Sequence, residues 1–448
     1  MKHSVKKLPL AIALVAACAL AQAKETDAGK LDGPLTPTGA ERAGNADGSI
    51  PAWTGGLKPG AAAIASNGNY ADPFANEKPL YTLTKDNYAQ HKAVLTAGQQ
   101  AMFARFADYR MNVYPTHRTA RLPQKYFDQA RANVSKVELA EAGNGLLNYA
   151  FGIPFPMPTK ALEVMWNHLG RYRGGSMHRV YSSATVQEDG AYTLVTYDGL
   201  AAFRENVKDL EPDANLMFYS YSRTLSPSRY AGEVNLAHEP INQVAEVRNA
   251  WQYIPGQRRV RRAPTIAYDS SARYTFGQVV SDSLDGFNGA PDRYEWKLVG
   301  KQEMLMPYNS YKMMDKSIAY DDLLKAGHLN TDLPRYEKHR VWVVEATLKP
   351  TFRHVYNKRR FYVDEDSWSI LAADLYDSRG ELWRSQECYL VQFHDVEVPF
   401  YAAEVTYDLI SGRYAVNNLT NGIPSKWEWG KVLSKANFTP AELKRLGK

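Results

Sequence analysis

Cysteine is nearly absent from this chain. Two occur in 448 residues, Cys18 and Cys388. A leader cut after Ala23 leaves Cys388 alone, which excludes an internal disulfide and leaves burial as the source of stability. Long apolar runs are also missing. Beyond residue 20 none approaches the ~20 residues of a membrane helix, so no later span of that kind is expected. No Gly-x-Ser-x-Gly elbow occurs, which removes the common exported esterase site. His238-Glu239 opens like a zinc-protease helix, but Asn242 stands where the second histidine belongs. The ten histidines show no ligand spacing, and neither a metal nor a cofactor is expected. Net charge is modest at +6, and losing Lys2, Lys6 and Lys7 with the leader lowers it by three. That excess is too small to argue for nucleic acid.

What is present begins with that leader. Lys2, His3, Lys6 and Lys7 form a basic head, an apolar run fills 8–20, and Ala21-Gln22-Ala23 supplies a small-x-small end. This predicts a signal peptide over residues 1–23 and a periplasmic mature chain. Val15-Ala16-Ala17-Cys18 offers an alternative, a lipoprotein box that would anchor the protein at Cys18. Export removes most of the weight from cytosolic ATP-, NAD- or chromosome-dependent functions.

Hydrophobic residues at 44% and charged residues at 23% describe a folding globular chain. Aromatics reach 12%, with 29 Tyr and 9 Trp. They suit a β-rich core, or the walls of a wide apolar cavity. Residues 24–80 hold fifteen Gly or Pro, which forbids long helices and central strands there. Trp53 has little reason to sit in a solvated linker, so this segment reads as a wrapping arm. Ile50-Pro51-Ala52-Trp53 is expected to dock against the sheet or the helix near Trp166.

Helical spacing of Tyr88, His91, Leu95, Met102, Phe103 and Phe106 predicts a helix over 85–107. A second follows Pro154-Phe155-Pro156-Met157-Pro158, with Thr159 as N-cap and Leu162, Met165, Trp166 and Leu169 as its stripe. After Gly175 the period becomes two. Strands are predicted over 180–187, 191–197, 216–224, 274–280, 294–300, 341–348, 355–363, 367–376 and 381–386, with a hairpin over 403–416. Short turns between them imply an antiparallel meander. Thr439-Pro440-Ala441-Glu442 reads as a capping box that starts a terminal helix. The organisation expected is leader 1–23, arm 24–80, helical segment 81–175 and β domain 176–448, with 24–448 as one unit. The fold class is α+β and mostly β, with a large curved antiparallel sheet or unclosed barrel whose concave face is covered by helices.

Asp364-Glu365-Asp366 reads as a solvated turn rather than a glycosidase pair. Cys388 reads as a buried strand residue, because nothing near it in sequence would lower its pKa. Gly256 to Arg262 carries Arg258, Arg259, Arg261 and Arg262 on both faces of a strand. The simpler account is an edge strand guarded by charge, and the functional one is a basic rim for phosphate or carboxylate heads.

Leu35-Thr36-Pro37-Thr38-Gly39-Ala40-Glu41-Arg42-Ala43-Gly44-Asn45 leads to Ile50-Pro51-Ala52-Trp53-Thr54-Gly55-Gly56. Together with Val113-Tyr114-Pro115-Thr116-His117-Arg118, Trp166-Asn167-His168, Gly256-Gln257-Arg258-Arg259-Val260-Arg261-Arg262-Ala263-Pro264 and Ala290-Pro291-Asp292-Arg293-Tyr294, this resembles the exported family catalogued as domain of unknown function 1329. That family is similar to the outer-membrane lipoprotein carriers of the LolA and LolB type. The resemblance implies an unclosed antiparallel barrel and carriage of a hydrophobic or lipid-like molecule. It further implies partnership with an exporter of the resistance–nodulation–division class and an outer-membrane β-barrel. It supplies no catalytic residues.

The expectation is therefore a non-enzymatic carrier or accessory protein that takes up its ligand by partition. Trp166, Trp251, Tyr253, Trp342 and Val344 are the candidate wall, with Arg258 and Arg262 as head-group contacts. Two rivals stand beside it: a lipid or polyester hydrolase with a site assembled from distant residues, and an envelope scaffold that binds no ligand.

Overall fold

The structure is a computed structural model describing residues 24–263 and 268–447. The predicted leader and the Cys18 lipoprotein box lie outside the described residues. Among the described residues sixteen strands form one sheet, built from two meanders. The first runs through Ser176–Val186, Tyr192–Phe203, Phe218–Ser226, Val234–Glu239, Asn249–Ile254 and Arg259–Arg262. The second runs through Tyr294–Pro307, Tyr336–Leu348, Lys358–Asp364, Ile370–Tyr376, Leu382–Phe393, Val398–Asp408 and Tyr414–Leu419. Tyr414–Leu419 pairs antiparallel with Ser176–Val186 and fuses them. A parallel bridge between Val113 and Tyr336 adds the ladder Tyr81–Leu83 with Met111–Val113. Arg259–Arg262 ends the strand order as an edge, as its two-faced charge implies. The order does not return on itself, so the sheet is open.

The second meander is buried on both faces. Val344, Ala346, Phe361 and Val363 belong to the main core, while Val341, Val343, Tyr362 and Cys388 form a second cluster. Helix α1 (Ala97–Arg105) packs on Ile370–Tyr376 and Leu382–Phe393, and a third helix, Ala161–Gly170, on the first two strands of this meander. Cys388 is fully buried, and burial holds its thiol well above the usual value. The first meander carries less cover. One face packs against the terminal helix Pro440–Leu446 through Leu236, Tyr253, Phe438 and Leu443. Thr439 caps that helix, its hydroxyl accepting from the Glu442 amide at 3.3 Å.

Four local expectations are corrected. The helix over 85–107 is two elements, a 3₁₀ helix at Tyr88–Val94 and α1. Thr96 and Gln99 form a capping box between them, and that local pairing restarts the helix. A helix the periodicity did not predict, α2, spans Gln124–Lys136 and buries Tyr126, Phe127, Ala130 and Val134. No strand spans 274–280: Tyr274 and Phe276 adopt φ of 57° and 50°, which breaks extended pairing. Asp364, Glu365 and Asp366 are buried, not solvated. Arg118, Lys301 and Arg340 reach them as cations.

The arm is tied down along its length. The Trp53 amide donates to the Arg42 carbonyl at 2.8 Å, and the Trp368 indole N–H donates to the Thr38 carbonyl at 2.9 Å. Ile50 is buried, but Trp53 is only half-buried. Its partner is Phe127 of α2, edge-on at 6.5 Å, with Arg42 over its other side at 5.3 Å; Trp166 lies elsewhere. Because the ring is half-exposed, Trp53→Ala should cost about 1–2 kcal/mol, less than the 3–5 of a fully buried aromatic. Chemical denaturation measures this directly, and an unchanged midpoint would contradict the docking.

Candidate functional site

The small residues of the first meander create the site. Met177, Ala201, Ser220, Ala237 and Ala250 face one another across five strands. The neighbouring row is Arg179, Gly199, Ser222 and Asn235. Strand side chains alternate, so the large residues Tyr219, Leu236, Trp251 and Tyr253 go to the opposite face, under the terminal helix. Short side chains on a broad floor leave room above it. The result is a cavity of about 380 Å³, within the range of small-molecule sites. Its walls include Phe203, Phe218, Leu284, Phe400 and Val416.

The segment 268–290 supplies the cover. Ala272 and Val279 pack on Ala415 of the last strand of the second meander. Asp282 anchors the cover to the sheet: Arg359 donates to it at 2.8 Å, and His354 lies at 3.1 Å. Burial alone would raise the Asp282 carboxyl, but Arg359 and His354 outweigh it and hold it below the usual value.

Charge gathers at one end of the cavity. The chain leaves the helix Ala161–Gly170 (α3) through Arg171, Tyr172 and Arg173, then turns at Gly174 and Gly175. Both glycines have positive φ, and a Cβ on either would approach Trp429 or Asn206 to 2.3 Å. This turn places Arg171 and Arg173 on Asp285, which Arg173 reaches at 2.6 Å. Despite burial, the two arginines bring Asp285 down to about 2. His168 accepts the Ile370 amide on Nδ1 at 3.1 Å and donates from Nε2 to the Asp285 carbonyl at 2.8 Å. Burial first, and then Arg171, lowers it to about 3, so the ring stays neutral. Arg179 projects into the cavity between Tyr181 at 4.4 Å, Trp427 at 4.9 Å and Phe400 at 5.3 Å.

Glu404 completes this end. It accepts from the Asp285 amide at 2.7 Å and from Asn418 at 2.6 Å. Burial and then the charge of Asp285 push its carboxyl up to about 7, against Arg179 and Arg171. A carboxyl raised on folding contributes stability below its unfolded pKa of about 4.3 and loses it as pH rises through the folded value. Glu404→Gln cannot ionise. Its melting temperature should therefore gain on that of the parent between about pH 5 and pH 8. A difference that stays flat with pH would contradict the raised carboxyl.

His339, Asp364 and Asp366 also bring possible ligand atoms within 4.8 Å of one another. Asp366, however, gives both oxygens to Arg118, at 2.8 and 2.7 Å. The cluster reads as an ion-pair network.

A family described as Protein of unknown function (DUF1329) has a sequence model that matches residues 82–444. This chain belongs to that family. The match takes in every strand of the cavity and its cover, while the arm precedes it. A relative from Pseudomonas aeruginosa, Uncharacterized protein PA3922, is 49% identical over 441 residues, covering 98% of this chain and 97% of that one. Among solved structures, the chain is similar to a putative outer membrane lipoprotein-sorting protein domain from Vibrio parahaemolyticus, at 14% identity and a TM-score of 0.43. That comparison covers 64% of this chain and 98% of the domain. A DUF1329 family protein from Desulfovibrio piger gives the same identity and TM-score over 63% and 96%.

None of the seven residues singled out from sequence lines the cavity. Trp166 is buried in α3 and donates to the Gly143 carbonyl at 2.9 Å. Trp251 and Tyr253 pack in the cluster under the terminal helix. Arg258 is at the turn before the edge strand and Arg262 is in that strand, donating to Asn249. Trp342 stacks on Trp368 at 6.4 Å, and Val344 is fully buried in the main core. The signal that could have found the cavity is the alternation of small with large residues in Gly199-Leu200-Ala201 and Ser220-Tyr221-Ser222. One face of successive strands was being kept short.

Proposed function

We propose that this protein is a periplasmic carrier or accessory protein that holds a hydrophobic or lipid-like molecule in the cavity of the first meander. The observation that carries the reading is the floor of Ala201, Ser220, Ala237 and Ala250 beneath apolar walls. A folded chain fills such a volume with its own side chains unless something else occupies it, because unfilled space forfeits dispersion contacts. An acyl chain entering the cavity gains about 0.8 kcal/mol for each methylene removed from water. An exporter of the resistance–nodulation–division class and an outer-membrane β-barrel are the proposed partners, on the strength of the family resemblance. The reading assigns no catalysis to the cavity.

Ala201→Trp tests it, since an indole rising from the floor fills the space that a chain would use. The variant should fold and lose binding of dodecanoate in a fluorescence displacement assay. Undiminished binding would place the ligand elsewhere.

A further inference from the structure

The Arg179 guanidinium is unusually placed. Its cationic carbon lies over the rings of Tyr181, Phe400 and Trp427, which suits their quadrupoles. Rings do not replace oxygen acceptors for a guanidinium. Its five N–H groups lie in the plane and need acceptors at the edge. Among the described residues none accepts from it, and Nη1 is shielded from solvent without a partner. The other arginines of the cavity differ. Arg173 shares Asp285 with Arg171, Arg248 pairs with Glu239 at 2.5 Å, and Arg273 pairs with Glu233. Gly199 lies directly across from Arg179 in the ladder and adds no side chain of its own, and the Tyr181 ring leans over it, where a Cβ would come within 3.1 Å. Ser222 continues the same row.

We infer that Arg179 is the head-group receptor of the cavity, and that the ligand is an amphiphile with an anionic head whose oxygens accept from the guanidinium edge. The inference rests on the carrier reading and adds the chemical class of the cargo. A carboxylate or phosphate matches a planar fork of donors, and such charge-assisted bonds are among the stronger ones. The surroundings reinforce the selection. Arg171, Arg173 and Arg179 face the Asp285 carboxylate and the raised Glu404 carboxyl, so cations outnumber anions at this end of the cavity before a ligand arrives. The apolar walls beyond, Phe218 and Val416 among them, take the chain.

The test compares dodecanoate, dodecyl phosphate and the neutral dodecanol, with acetate and inorganic phosphate as heads without chains. Binding is measured to the full-length protein and to Arg179→Leu. The parent should bind the two acidic amphiphiles at least about tenfold more tightly than dodecanol, as expected for hydrogen bonds to a charged group. Acetate and phosphate should not compete. In Arg179→Leu the preference should vanish while dodecanol binding persists. Glu404 loses one of the two cations that oppose its raised carboxyl in this variant, so its fold is checked by melting without ligand; should it fail to fold, Arg179→Gln must lose the preference instead. Equal binding of acid and alcohol by the parent, or an undiminished preference in the variants, overturns the assignment and leaves the carrier reading standing. Inorganic phosphate binding as tightly as dodecyl phosphate overturns it in favour of a simple anion site. Failure of every amphiphile to bind removes the carrier reading, and the inference with it.

Discussion

Asp282→Ala is expected to cost about 3–5 kcal/mol and to loosen the cover of the cavity. Arg359 has no exposed surface, and Asp282 and His354 are buried around it. The carboxylate is its ion-pair partner at 2.8 Å. Removing the acid leaves a cation in the interior, and the cost is the solvation that cation does not recover. Arg359→Leu in the same molecule should return part of the loss, because it removes the stranded charge. Urea denaturation gives both numbers, and proteolysis within 268–290 reports on the cover. A loss under about 1 kcal/mol, with no recovery in the double variant, would contradict the anchoring role.

Arg118→Leu is expected to have a loss of similar size, about 3–5 kcal/mol, by the opposite route. Here the stranded charges are acids. Arg118 holds Asp366 through two bonds and reaches Glu365 at 3.4 Å. It also donates to the arm at the Pro51 carbonyl, 3.4 Å away. Burial, and then the neighbouring Asp366, already raises the carboxyls of Asp364 and Glu365. Acids raised on folding contribute stability below their unfolded pKa and lose it as pH rises through the folded value. The deficit of Arg118→Leu should therefore shrink as pH falls toward the carboxylate range. Faster cleavage of the arm should accompany it. A deficit that does not change with pH would mean that the three acids are compensated without Arg118.

Much of the sheet was legible because its physics is local. Trp342, Val344 and Ala346 alternate with Val341 and Val343, and each set enters its own apolar cluster. Short polar turns at Glu188-Asp189-Gly190 and Asp377-Ser378-Arg379-Gly380 force antiparallel neighbours. The family resemblance named from the motifs agrees with the family model. What was not legible depends on contacts between distant residues. Asp364-Glu365-Asp366 has the composition of a turn, and the chain does turn from the end of its strand at Glu365 and Asp366, but Arg118 from another segment is what permits its burial. The segment 274–280 has strand-like residues, yet it folds into a cover whose anchor, Arg359, lies far along the chain. The cavity itself was not legible because large aromatics drew attention as its walls. Trp251 and Tyr253 fill the opposite face, and the cavity exists where their neighbours are small.

Native mass spectrometry of the protein purified gently from the cell envelope tests the central claim most directly. The account predicts a one-to-one adduct of lipid-like mass that is lost on activation and absent from Ala201→Trp. A parent protein that flies at its bare mass, and stays bare when mixed with dodecanoate or dodecyl phosphate, would contradict it.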